Sequence, residues 1–129
     1  MATTIAEHYA DELVEWRRLI DFYDQEMDDL ETKLVEVIRR NSIPGIAARV
    51  EQQQSFLNEI ADEFDKLSAS FTEQESVLKT DDSFVDDKDI NIVTEKKQNE
   101  LRRHMQQAEK TFLDRKHTCS NFLSGLLKR

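Results

Sequence analysis

The sequence predicts an all-α protein, an up-down-up antiparallel three-helix bundle of coiled-coil-like character, on three observations. Apolar residues recur at alternating steps of three and four along three stretches of similar length. Two short interruptions separate them, Asn41-Ser42-Ile43-Pro44-Gly45 and an Asp-rich run at 80–89. Only two Gly and one Pro occur in 129 residues, too few turn formers to punctuate a sheet. A disordered chain of equal charge content (35%) would lack the regular apolar stripe. The length suits one domain, 1–129, with a real core.

The first helix is expected over about residues 3–40. Its seam is Ala6, Tyr9, Leu13, Trp16, Ile20, Tyr23, Met27, Leu30, Leu34 and Val37, with no polar intruder. Ile5, Val14, Leu19, Phe22, Val35 and Ile38 widen the stripe, which suits a helix touching two neighbours.

The second helix is expected over 43–79, with Ser42 as N-cap and Pro44 tolerated in the first turn. Its seam runs Ile46, Val50, Gln53, Leu57, Ile60, Phe64, Leu67, Phe71, Gln74, Leu78. Ser68, Ser70 and Thr72 lower helix propensity and predict a soft spot within it.

Residues 80–89 hold five Asp and no periodicity, an acidic reversing loop in which Phe84 or Val85 would plug the bundle end. Asp89 or Asn91 would cap a third helix over 90–128. That helix carries Thr94, Gln98, Leu101, Met105, Ala108, Phe112, Arg115, Cys119, Phe122 and Leu126. Its polar first third predicts fraying or partner contact.

Rods of some 37 residues are on the order of 55 Å long. In architecture alone, the plan resembles that of spectrin-type three-helix repeats; no shared motif accompanies the resemblance. Charge favours the same arrangement. Residues 1–42 hold 11 acidic and 5 basic side chains, and residues 90–129 hold 4 and 9. A basic third helix therefore relieves repulsion between two acidic ones.

Chemical sites are scarce. The basic residues of the third helix invite nucleic acid, but a net charge of −9 and acidic neighbours in the bundle argue against phosphate binding. His8 with Glu12, Glu100 with His104, and Asp114 with His117 have the helical spacing of bundle metal ligands. Aligned along the bundle, the three His fall at levels roughly 13 and 20 Å apart, so they cannot share one ion. From Asp81 the acidic loop lacks both the central Gly and the terminal Glu of an EF-hand. Ser120 beside His117 has no oxyanion site, and Cys119 falls on the core stripe. No catalytic, cofactor or metal residue is assigned, and no enzyme activity is expected.

No run approaches the roughly 18 apolar residues of a membrane span, and the first residues carry no signal-peptide pattern. With its single Cys, the chain is expected to be cytoplasmic.

Polar seam residues are more informative. Level matching groups Asp28, Gln53 and Arg115 in one polar layer, and Tyr9, Gln74 and Gln98 in another. Such layers cost stability but specify register and partner number. Leu19 and Phe22, flanking the seam, are the expected interaction residues. The expected function is a non-enzymatic protein-interaction, scaffold or regulatory module, binding a protein partner or a second copy of itself. The alternative is a ligand- or metal-binding bundle.

Overall fold

The structure is a computed structural model that describes residues 4–127. Three helices, α1 (Ile5–Arg40), α2 (Ile46–Leu78) and α3 (Ile92–Leu127), pack against one another as a three-helix bundle. The expected helix limits at Thr3 and Lys128 lie outside the described residues.

Cross-helix pairs give the directions. Between α1 and α3, bonded partners keep a nearly constant separation in sequence: 90 for Glu12–Arg102, 86 for Tyr23–Glu109 and 90 for Glu26–Lys116. A constant difference means parallel helices. Between α1 and α2 the partners run oppositely, Arg17 with Glu75 and Glu31 with Gln54, so those helices are antiparallel.

Local chemistry sets the ends. Thr4 caps α1, its hydroxyl accepting from the Glu7 amide at 3.2 Å. The Asp87 carboxylate accepts from the Ile5 amide at 2.8 Å, which ties the helix start to the distant acidic loop. At the other end α2 begins later than expected, and Ser42 does not cap it. Ile43-Pro44-Gly45 forms a turn first, with Gly45 at φ 79° and the Ile46 amide bonded to the Ile43 carbonyl. A left-handed residue cannot sit inside a helix, so the helix starts after it.

Residues 68–72 remain helical. Thr72 donates back to the Ser68 carbonyl and receives Arg17, so no break forms at the expected soft spot. The acidic loop is more ordered than its composition suggested. Lys79–Thr80 (β1) and Ser83–Phe84 (β2) pair as a minimal antiparallel hairpin, and Asp87–Asp89 make a 3₁₀ turn. Val85 rather than Phe84 packs against the core, while Lys79 covers the Phe84 ring. Asn91 caps α3, accepting from the Thr94 amide at 2.9 Å.

One aromatic side chain from each helix meets at mid-height. Tyr23, Phe64 and Phe112 have ring centroids 4.7 to 6.2 Å apart, and both Phe rings are fully buried. Such contacts contribute beyond their burial. The predicted seams supply the core, with small shifts: Ala10 is buried where Tyr9 is half-buried, and Leu123 where Phe122 is half-buried. No described helix is long and apolar enough to cross a membrane.

Tyr23 donates its hydroxyl to Glu109 at 2.6 Å. Burial first, then the Glu109 carboxylate, pushes its ionisation up to about 12. The folded value exceeds the unfolded one, so the stabilisation is complete below about pH 10 and disappears between 10 and 12. Urea unfolding of the wild type and Tyr23→Phe should show a stability gap that closes over that window by on the order of 1–2 kcal/mol. Parallel curves through pH 12 would contradict this assignment.

Candidate interaction surface

Two of the three helices place polar side chains in the core, and both are satisfied. Gln74 and Gln98 are 4% and 0% exposed. The Gln74 amide donates to Gln98 Oε1 at 3.1 Å and to the Thr94 carbonyl at 3.0 Å. Gln98 in turn donates to the Tyr9 carbonyl and to Glu12 Oε1, both at 3.2 Å. Tyr9 thus joins through its backbone, with its ring half-buried. Arg102 grips Glu12 in a fork at 2.6 and 2.9 Å. Burial alone would raise the Glu12 carboxyl, but the bonds from Arg102 and Gln98 hold it below its ordinary range. The start of α3 is bonded into the interior through Thr94 and Gln98, while Ile92 and Val93 stand exposed.

Asp28, Gln53 and Arg115 form no hydrogen-bonded layer among the described residues. Asp28 is exposed and Gln53 half-buried, and no hydrogen bond joins any two of the three among the described residues. The Arg115 guanidinium stacks 3.6 Å from the centre of the Phe56 ring. Phe56, three residues beyond Gln53, takes the level that matching of helix levels gave to Gln53. The Gln74–Gln98 bond and the Phe56–Arg115 stack share one α2/α3 offset, so Gln53 lies about a turn off the level of Arg115, and the fork takes the aromatic face there. Gln54 bonds Glu31 at 2.7 Å instead.

Chemistry is sparse elsewhere. No group of three His, Cys, Asp or Glu among the described residues could hold a metal ion. A groove of about 290 Å³ between α2 and α3, with Phe56, Glu59, Glu63, His104 and Arg115 in its walls, is open to solvent. Cys119 is buried, and burial raises its thiol above the ordinary value, opposite to what a nucleophile needs.

The outer face formed by α1 and α3 is different. Three polar bridges close its groove: Glu12–Arg102, Tyr23–Glu109 and Glu26–Lys116. One row further out stand two large apolar residues, Phe22 at 57% and Leu113 at 46% exposure. Phe22 lies one turn before Glu26, and Leu113 lies between Glu109 and Lys116 on the helix surface. The Tyr23–Phe112 contact sets the pair at one level. Leu19 is not free in the same way. It is half-buried and packs against the core between Glu12 and Glu26. Leu113 escaped sequence reasoning because it sits outside the seam; its only signal is the Phe112-Leu113 tandem, which must turn one residue outward.

Compared with protein-family models, curated proteins and solved structures, the chain matches none.

Gln98→Ala should cost about 1–3 kcal/mol, because it strands one of the two Gln74 amide N–H groups in the core. Gln74→Leu with Gln98→Leu should cost less than Gln98→Ala, since it removes both partners and fills the space. Chemical denaturation of the three proteins checks the order. A double variant weaker than Gln98→Ala would contradict it.

Proposed function

We propose that this chain is a non-enzymatic protein-interaction module, a scaffold or regulatory bundle that works by presenting its α1/α3 face to a protein. One observation carries the reading: Phe22 and Leu113 stand exposed near one level, on either side of a groove whose polar groups are already paired. Apolar residues grouped on a helical surface favour contact with another protein over contact with water. A second exposed apolar group, Val77, Ile92 and Val93, lies at the loop end of the bundle, on α2 and the start of α3. The interior is filled by side chains of all three helices, and no buried side-chain donor or acceptor among the described residues lacks a partner.

A photo-crosslinking amino acid at position 22 tests the reading in cells that produce the chain at native level. A discrete protein adduct is expected, lost when Leu113→Glu is added. Absence of any adduct would contradict it. Elemental and mass analysis of untagged protein covers the alternative, for a stoichiometric metal or small molecule would make ligand or metal holding the better reading.

A further inference from the structure

Resting on the interaction reading above, we propose that the partner for the α1/α3 face is a second copy of this chain, docked with the two bundles parallel. The exposed charges beside Phe22 and Leu113 carry the inference. On α1, Glu15 and Asp29 stand seven residues before and after Phe22, hence on the same outer row. Both are exposed, and neither bonds another helix: Glu15 meets only Arg18, one turn along, at 3.5 Å. On α3, Arg103 and Lys110 are exposed and have no ion-pair partner among the described residues. The inner row of this face is thus neutralised within the chain, while α1 carries acidic residues on the row of Phe22 and α3 carries Arg103 and Lys110 one row beyond Leu113.

A two-fold axis can join two such faces in two ways. An axis perpendicular to the bundle sets α1 against α1 of the other copy, antiparallel. With Phe22 at the centre, Glu15 then faces Asp29 of the second copy, and the basic rows of α3 meet each other. Like charges face one another throughout. An axis parallel to the bundle sets α1 of each copy against α3 of the other, at unchanged height. The separation of 86 to 90 between bonded α1 and α3 residues then brings Glu15 level with Arg103 of the second copy. The same separation brings Asp29 level with His117. Phe22 reaches the level of Lys110 and Leu113, and packs between the methylenes of one and the side chain of the other. Every contact occurs twice, as an isologous interface requires.

Charge therefore selects the parallel arrangement, and it also sets the expected strength. Helices of 36 residues, with axes about 8–10 Å apart, offer a strip on the order of 500 Å² in projection. Interfaces of that size, with one apolar pair per side, are reversible, with dissociation constants on the order of micromolar or weaker.

Sedimentation equilibrium of the untagged chain, from roughly 5 to 500 μM, tests the proposal. The expected result is a rise from the one-chain to the two-chain mass. Phe22→Glu should weaken association at least about tenfold. Glu15→Lys and Arg103→Glu should each weaken it about three- to tenfold, and together restore it to within about threefold of wild type. All these sites are exposed, and circular dichroism of each variant checks that the helices persist. Should Phe22→Glu fail to fold, the charge exchange alone decides. A wild-type chain that stays monomeric overturns the proposal, as does a double variant weaker than either single one. A monomeric chain that still gives an adduct from position 22 with a different protein removes the dimer and leaves the interaction reading standing.

Discussion

The meeting of Tyr23, Phe64 and Phe112 at mid-height is the constraint from which the other levels follow. Each ring comes from a different helix, and a shift of one helix by a turn would take its ring out of the cluster. With those rings placed, Glu12 falls opposite Arg102, Glu26 opposite Lys116, and Trp16 against Phe71. The same register carries Gln98 to the depth where Gln74 and the Tyr9 carbonyl can share its amide. A polar side chain that is 0% exposed is tolerable only with all its bonds made, so this layer penalises any other alignment. Apolar packing supplies the attraction, and the glutamine pair rejects slippage.

Charge adds direction to that scheme. The acidic α1 and the basic α3 lie parallel and side by side, joined by bridges whose partners are only one-fifth to two-fifths exposed. Such half-buried pairs are worth more than pairs in open water, though desolvation takes back part of the gain. They also use up the charges next to the groove. In the row outside them the apolar content is concentrated at Phe22 and Leu113.

Most of the architecture was legible in the sequence because alternating three-four spacing has few three-dimensional solutions. The seam of α2 illustrates this: of its ten positions, all but Gln53 are buried. The pairing of Gln74 with Gln98 was also legible, since both lie at the same end of the bundle, near the Asp-rich loop. The Asp28–Gln53–Arg115 grouping was not. Levels read from spacing are good to about one turn, and one turn separates Gln53 from Phe56, the residue that meets Arg115. Leu19 and Phe22 look alike in sequence, yet one closes the core edge and the other faces water. A difference of three positions turns a side chain by about 60° around the helix, enough to separate a flank from an outer face.

Everything built on the α1/α3 face depends on those two helices running parallel, side by side, at a constant offset. The most direct test is a pair of interhelical distances by electron–electron resonance, from spin labels at 15 and 103 and at 29 and 117. Labelled chain diluted into an excess of unlabelled chain keeps the distances within one molecule. The account predicts that both distances are short, under about 25 Å including the labels, and equal within a few ångström, since helix axes in contact lie about 8–10 Å apart. One short and one long distance, or two long ones, would mean that α3 crosses or leaves α1, and would contradict the account.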